Sequence, residues 1–335
     1  MVEHHPAGCR CFRAPFSMSL QCRTPIVFVV FNRPDQTRRV FERIAQVRPE
    51  RLLVIGDGAR RDRPGEDLRC QEVREIATRI DWPCELQTNF ATENLGCRRR
   101  LITGLNWAFE QVPEAIILED DILPDPSFFP FCEAMLEHFR DDSRVAMITG
   151  FNIVQEHLRT EYSYFFSRLT HIWGWATWRR AWTRYDEHLK DWPAIRESGL
   201  MAEIFDVPEH RRFWTRIFDQ MHNGTGPDTW DYQWMYTNLM TNSLSVVPRV
   251  NLIDNIGFGP GATHTVDTAA APAVKAQTLT SPLVHPPAMV PLAEMDRLDQ
   301  ELSGCRIPRL HHRAMNKLKR ELRKIISGRR LTHSG

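Results

Sequence analysis

The chain has 335 residues and a formal net charge of +1, because 43 Lys and Arg stand against 42 Asp and Glu. A nucleic-acid-binding protein normally has a clear basic excess, so we expect no nucleic-acid partner. Hydrophobic residues make up 42% of the sequence and aromatic residues 10%, values typical of a globular protein and not of a disordered one. The apolar run at residues 26–31 is six residues long, whereas roughly 20 are needed to cross a bilayer.

Residues 1–23 contain no apolar stretch of signal-peptide length. We interpret them as a disordered leader, with Met18 as an alternative start of the protein. The eight cysteines are scattered and form no C-x-x-C pair, which disfavours a zinc site. Reduced thiols and the lack of an export signal predict a cytoplasmic protein.

From residue 24 to residue 150, short apolar runs alternate with amphipathic stretches, which is typical of βα units. Strands are predicted for residues 26–31, 52–55, 84–88, 115–118 and 145–149. Helices are predicted for residues 35–46, 66–80, 97–111 and 126–139. The alternation predicts an α/β fold of Rossmann-like type, with a mostly parallel central sheet flanked by helices.

After Gly150 the alternation becomes irregular, and eight of the ten tryptophans lie between Trp173 and Trp234. Residues 265–291 are rich in Ala, Pro and Thr, the composition of a linker or of a segment that follows the surface. We therefore divide the chain into a leader at 1–23, a main domain at 24–264, an extension with a short helix at 265–304 and a basic tail at 305–335.

Charged residues follow three of the predicted strands, and the carboxyl ends of parallel strands share one edge of a sheet. Arg33 follows the first strand, Asp57 the second, and the triplet Glu-Asp-Asp at 119–121 the fourth. Adjacent carboxylates repel each other, and a hard divalent cation such as Mg²⁺ or Mn²⁺ relieves that repulsion. Such a cation acts as a Lewis acid on a phosphate leaving group. The alternatives are a solvated acidic turn, an Asp-Gly turn at residue 57 and a surface arginine.

Four sequence blocks carry a family resemblance. They are F-N-R after the first strand, G-D-G after the second, N-L-G-C-R-R before the third helix and I-I-L-E-D-D-I-L-P-D-P-S-F-F at the fourth strand. Together they resemble a glycosyltransferase of GT-A fold, of the bacterial family 2-like type, and are similar to the N-acetylglucosaminyltransferase I type. The resemblance covers residues 24–264. The glycine-rich loop of a sugar nucleotidyltransferase is absent from the sequence, as is G-x-G-x-x-G.

The resemblance implies roles for the residues at the strand ends. Arg33 would meet the diphosphate of a nucleotide-diphosphate sugar, Asp57 would bind the edge of the base, and Asp121 would ligate Mn²⁺ or Mg²⁺. Glu119 and Asp120 would face the ribose and the donor sugar. These assignments place the donor at the carboxyl edge of the predicted sheet.

The resemblance also extends to residues outside the strand ends. Arg98 falls where a basic residue approaches the nucleotide, although it could equally lie on a solvated helix face. Asp231, in the block W-D-Y-Q-W-M, is the candidate base that takes the proton of the acceptor, with an N-cap on a helix over 232–239 as the alternative. His264 would contact the metal or the diphosphate, or be a surface histidine. Trp173 or Trp175 would stack on an acceptor sugar.

Residues 306–330 hold ten basic residues against one acid, a net charge of +9, with apolar residues at helical spacing. This pattern favours an amphipathic helix on an anionic membrane over a solvated terminal helix. The resemblance implies a metal-dependent, inverting transfer to a glycan or lipid-linked acceptor, in the synthesis of surface polysaccharide or lipopolysaccharide. The alternatives are a metal-dependent nucleotidyltransferase or phosphoesterase, and a non-catalytic sugar- or lipid-binding module.

Overall fold

The structure is a computed structural model, which describes residues 21–258 and 274–305. The first strands are β1 (Ile26–Val30), β2 (Arg51–Gly56), β3 (Glu85–Phe90), β4 (Glu114–Glu119) and β5 (Ile122–Pro124). The first helices are α1 (Pro34–Val47), α2 (Glu66–Ala77), α3 (Cys97–Gln111) and α4 (Phe128–His138). The predicted elements of this region are confirmed, with ends shifted by three residues or fewer. The short β5, directly after the acidic triplet, had not been predicted.

The second half of the described chain is richer in helices. Its strands are β6 (Val145–Thr149), β7 (Tyr164–Ser167), β8 (Trp175–Trp178), β9 (Leu244–Pro248) and β10 (Ile253–Asn255). Its helices are α5 (Arg179–Trp182), α6 (Trp192–Ser198), α7 (Met201–Ile204), α8 (Pro208–His222), α9 (Asp231–Met240) and α10 (Ala293–Leu302). The predicted fifth strand at 145–149 is β6.

Eight of these strands form one sheet in the order β3-β2-β1-β4-β8-β6-β9-β7. The four strands β1 to β4 pair in parallel, as do β6 and β9, whereas β8 and β7 run antiparallel to their neighbours. The α/β class with a mostly parallel central sheet flanked by helices is therefore confirmed. β5 and β10 form a separate antiparallel pair.

Burial on both faces explains the unbroken apolar sequence of the first strand. Ile26 and Phe28 pack in the core cluster that includes residues of α1, α2 and α4, whereas Val27 and Val29 pack with residues of α3 on the opposite face. The parallel half of the sheet thus lies between two helical layers. The charged residues that follow its strands are placed at the carboxyl edge.

The helices α6, α8 and α9 form a lobe with its own apolar core, in which Trp192, Trp214 and Phe218 are buried. The described part of the extension packs back onto the sheet, since the Ser167 hydroxyl donates to Asp296 of α10 at 2.6 Å. No helix among the described residues is long and apolar enough to cross a membrane. The leader up to residue 20 and the basic segment from residue 306 lie outside the described residues.

Candidate active site

Two adjoining cavities lie at the carboxyl edge of the parallel strands, with volumes of about 300 and about 240 Å³. They share four lining residues: Arg33, Cys97, Glu119 and Asp121. We call the larger one, which also contains Asp57, the strand-edge cavity. The smaller one, which also contains Asp231, we call the Trp173 cavity. The strand ends that carried the predicted charged residues are therefore brought together.

The acidic triplet lies between the two cavities. Asp121 Oδ2 accepts a hydrogen bond from Arg33 Nη1 at 2.5 Å, and Asp120 Oδ2 accepts from the Phe31 amide at 3.0 Å. Burial, followed by the charge of Asp121, raises the pKa values of Glu119 and Asp120. A cation at this place would relieve the repulsion between the carboxylates.

The chemistry of the donors fits a magnesium or manganese ion that is held in part by a substrate. Among the described residues, no group of three His, Cys, Asp or Glu side chains could hold a metal ion by itself. Mg²⁺ usually binds proteins through one or two carboxylates and completes its shell with water and substrate phosphates. Asp121, with the neighbouring Glu119, would supply this smaller set of oxygen ligands.

Residues 256 and 257 lie against Asp121. The Ile256 amide donates to the Asp121 carbonyl oxygen at 2.8 Å, continuing the pairing of β10 with β5. A Cβ atom at position 257 would lie 2.0 Å from Asp121 Oδ2, so only glycine allows this approach. His264, the predicted metal contact, lies outside the described residues.

Asp57 has a different environment from the one expected for a residue that binds a base edge. Its carboxylate accepts from the Asn94 amide group at 3.0 Å and from the backbone amides of Gly58, Leu95 and Gly96 at 2.8 to 3.1 Å. Burial raises the pKa of Asp57, and the backbone amides counteract that rise. The side chain lines the strand-edge cavity but is engaged in holding the 94–96 loop against β2.

Arg60 is a cavity residue that the sequence had not indicated. Its backbone amide and guanidinium both donate to Glu66, whose side chain is 1% exposed and also accepts from Asn32 Nδ2 at 2.7 Å. The guanidinium lies 5.4 Å from the centre of the Phe31 ring. Glu66 thus holds a fixed arginine at the wall of the strand-edge cavity, where it could bind phosphate oxygens.

This buried carboxylate makes the site sensitive to acid. Burial alone would raise the pKa of Glu66, but the hydrogen bonds from Arg60 and Asn32 outweigh it and lower the pKa from 4.5 to about 2. We expect Glu66→Gln to lower the free energy of unfolding by about 2 kcal/mol at neutral pH. The stabilisation is fully present above pH 4.5 and is lost as the pH falls toward 2.

Urea unfolding of both proteins between neutral and acid pH measures this difference. The matched control is Glu72→Gln on the same helix, whose side chain is 52% exposed, and we expect it to change stability by less than about 0.5 kcal/mol. The assigned pKa would be contradicted if the difference in the free energy of unfolding between the wild type and Glu66→Gln stayed constant down to pH 3.

The arginines at the start of α3 point in different directions. Arg98 Nη2 donates to the Glu187 carbonyl oxygen at 3.1 Å, and the side chain lines a separate hollow with Arg99 and Asp228. Arg98 is thus not among the residues that line the strand-edge cavity, and its approach to the nucleotide stays a prediction. Arg100, two residues later, lines that cavity and donates to Asn89 Oδ1 at 2.7 Å.

Two aspartates of one loop have separate environments. Asp228 accepts from the Cys97 amide at 3.0 Å and from the Arg98 amide at 3.3 Å, so it caps the N-terminus of α3 from a distant part of the chain. Asp231 lines the Trp173 cavity and accepts a hydrogen bond from the Thr229 hydroxyl. The predicted alternative of an N-cap is not observed for Asp231, because Trp230 holds the N-cap position and Asp231 is the first residue of α9.

The two tryptophans that were predicted to stack on an acceptor sugar differ in burial and in position. Trp175 is 1% exposed and packs against Trp230 and Trp234 in the core, so its predicted contact with an acceptor is corrected. Trp173 is half-buried, lines the cavity that contains Asp231, and meets the Phe258 ring edge to face at 5.9 Å. Of the two predicted tryptophans, Trp173 is the one that lines this cavity, together with Trp230 and Phe258.

Comparisons with known proteins give little further information. No family model matches the sequence, and no curated protein matches it either. A UDP-glucose pyrophosphorylase complexed with UDP-glucose is similar with a TM-score of 0.26 and 8% identity, over 45% of this chain and 64% of that chain. The apo form of mouse xyloside xylosyltransferase 1 is similar with a TM-score of 0.30 and 9% identity, over 65% and 82% of the two chains.

The chain thus spans just under two thirds of the pyrophosphorylase. TM-scores this low carry no argument about activity, and the fold class rests on the sheet itself. What the fold and site define is a class: an α/β protein with two joined cavities at the carboxyl edge of its parallel strands. Acids and arginines line this edge.

Proposed function

We propose that the chain is a metal-dependent glycosyltransferase of GT-A type, which transfers a sugar from a nucleotide-diphosphate sugar to a hydroxyl acceptor with inversion. The observation that carries the proposal is the shared wall of the two cavities, formed by Arg33, Glu119 and Asp121. A donor in the strand-edge cavity would present its sugar across this wall to an acceptor in the Trp173 cavity.

Donor binding would depend on charges already in place. Asp121 would hold Mn²⁺ or Mg²⁺, which when bound neutralises the leaving diphosphate. Arg33, paired with Asp121 at 2.5 Å, would donate to phosphate oxygens once the negative charge of Asp121 is shared with the cation. Arg60, held by Glu66, would add a second donor at the same wall.

The transfer step would use the residues of the Trp173 cavity. The acceptor oxygen forms a bond to the anomeric carbon as the bond from that carbon to the diphosphate breaks. Asp231 takes the proton of the acceptor hydroxyl, and the Thr229 hydroxyl orients its carboxylate. The Trp173 ring would stack on the apolar face of the acceptor sugar.

We also propose the setting of the reaction. The acceptor would be a glycan or lipid-linked intermediate of surface polysaccharide or lipopolysaccharide synthesis, modified in the cytoplasm at the inner face of the membrane. The net charge of +9 in residues 306–330 supports contact with an anionic lipid surface. This segment lies outside the described residues, so the support comes from its sequence alone.

Titration of the purified protein with UDP-, GDP-, CDP- and dTDP-sugars, with and without Mn²⁺, tests the proposal. We expect one of these nucleotide sugars to bind only in the presence of the metal. We expect the nucleoside diphosphate to be released when an acceptor is added. Equal binding without metal would overturn the metal assignment. Release of a nucleoside monophosphate instead would favour a nucleotidyltransferase or phosphoesterase.

Gly257 provides a further test of the metal site. Gly257→Ala is expected to displace the Asp121 carboxylate, because the added Cβ atom would lie 2.0 Å from Oδ2. We expect Mn²⁺ to be bound about tenfold more weakly or worse, since changes that misorient a ligand typically cost 10- to 100-fold in metal affinity. Mn²⁺ binding followed by electron paramagnetic resonance measures the effect. Gly199→Ala is a control for backbone strain alone, since residue 199 has a φ of +77° but no atom lies within 4 Å of its added Cβ. Unchanged Mn²⁺ binding by Gly257→Ala would contradict the prediction.

A further inference from the structure

A basic hollow lies outside the candidate active site, between α6, α7 and α8, with a volume of about 570 Å³. Its walls carry four arginines: Arg196, Arg211, Arg212 and Arg216. Two of these charges are balanced locally, by Asp219 at 2.7 Å from Arg196 and by Glu209 at 2.5 Å from Arg212. The other two form no ion pair with the residues that the structure describes. The hollow therefore has an excess of positive charge.

An exposed apolar side chain belongs to the same face. Leu200 is 43% exposed and lies between Gly199 and Met201, both of which line the hollow. The residues on both sides of Leu200 in the chain thus form part of the arginine-lined wall, and the Leu200 side chain is left exposed. Arginines on a face with an exposed apolar side chain match the boundary between lipid headgroups and acyl chains, where charged heads meet phosphates and apolar groups enter the lipid.

The end of the described chain lies close to this face. The Trp214 indole N–H of α8 donates to Gln300 Oε1 of α10 at 2.9 Å, and the Cys305 amide donates to the Gln300 carbonyl oxygen at 2.8 Å. The sequence that follows, residues 306–330, has a net charge of +9. The basic tail therefore begins next to the arginine-lined lobe and not at the opposite end of the sheet.

We propose that the face formed by α6, α7 and α8 docks onto an anionic lipid surface, with lipid phosphates bound by Arg211 and Arg216 and with Leu200 in the headgroup region. Charge complementarity and the nearby start of the basic tail identify the partner as a membrane. The exposed leucine distinguishes it from a nucleic acid, which would offer no apolar phase. The proposal names a surface separate from the candidate active site and does not rest on the proposed function.

Co-sedimentation of the full chain with vesicles tests the proposal. The vesicles contain phosphatidylcholine alone or phosphatidylcholine with phosphatidylglycerol, and we expect binding to the second kind only. Each arginine near such a surface contributes roughly fivefold in affinity, so Arg211→Gln with Arg216→Gln should weaken binding about 30-fold. The control is Arg39→Gln with Arg69→Gln on α1 and α2, which removes the same charge from exposed positions and should weaken binding less than about threefold.

A third variant examines the apolar contact. Leu200→Ser should weaken binding at high salt, where charge attraction is screened and insertion contributes a larger share. Vesicle binding that is equal for the wild type, the Arg211/Arg216 variant and the control overturns the proposal, because the tail alone would then be sufficient. It is equally overturned if the wild type binds RNA and ignores phosphatidylglycerol vesicles. Circular dichroism of each variant confirms that the fold is kept.

Discussion

Asp121→Asn is expected to weaken metal-dependent binding of the donor by about 100-fold or more, because loss of an outer-shell partner alone already costs 10- to 100-fold. The amide oxygen of asparagine can still accept from Arg33, so the local packing is kept. Its lack of charge removes the feature that a hard divalent cation requires. Isothermal titration with the donor nucleotide, with and without Mn²⁺, measures the change directly.

Two further measurements make this result specific. Asp35→Asn on α1 alters an aspartate whose side chain is 92% exposed, and it should leave donor binding unchanged. Thermal unfolding without ligand should give similar midpoints for all three proteins, because Asp121 forms its ion pair at a partly exposed site. If Asp121→Asn binds the donor as the wild type does, and with the same dependence on Mn²⁺, Asp121 is not the metal ligand.

The position of the site could be predicted from the sequence because buried parallel strands leave a clear signal. β1 is apolar on both faces and is followed by Arg33, and β4 leads directly into the acidic triplet. β8 gave no such signal, since it is a four-residue strand that lies antiparallel between β4 and β6. Its pairing of Trp178 with Glu114 joins distant parts of the chain, and no local pattern encodes that contact.

Side-chain directions within the site were harder to predict. The motif placed basic residues at the start of α3, but the rotation of the helix decides that Arg100 and not Arg98 faces the strand-edge cavity. The position of Arg60 depends on its ion pair with Glu66, and the carboxylate of Asp57 accepts hydrogen bonds from the 94–96 loop. These are contacts between loops, which follow from the packing of the whole edge.

The second large effect is expected for the candidate base. Asp231→Asn should lower kcat for sugar transfer by about 10²- to 10⁴-fold, the usual contribution of general base catalysis. Donor affinity should stay within about twofold, because Asp231 lines the Trp173 cavity and not the strand-edge cavity. The amide can still accept from the Thr229 hydroxyl, so the start of α9 is expected to fold as before. Release of the nucleoside diphosphate at saturating donor and acceptor measures kcat.

Asp228→Asn is the matched control, since it changes the same functional group three residues earlier, at a side chain that lines the strand-edge cavity and not the Trp173 cavity. The asparagine oxygen can still cap α3 by accepting from the Cys97 amide. We therefore expect transfer within about tenfold of the wild-type rate, because no proton has to reach this carboxylate. A rate loss confined to Asp228→Asn would move the base to that residue and place the acceptor on the α3 side of the loop.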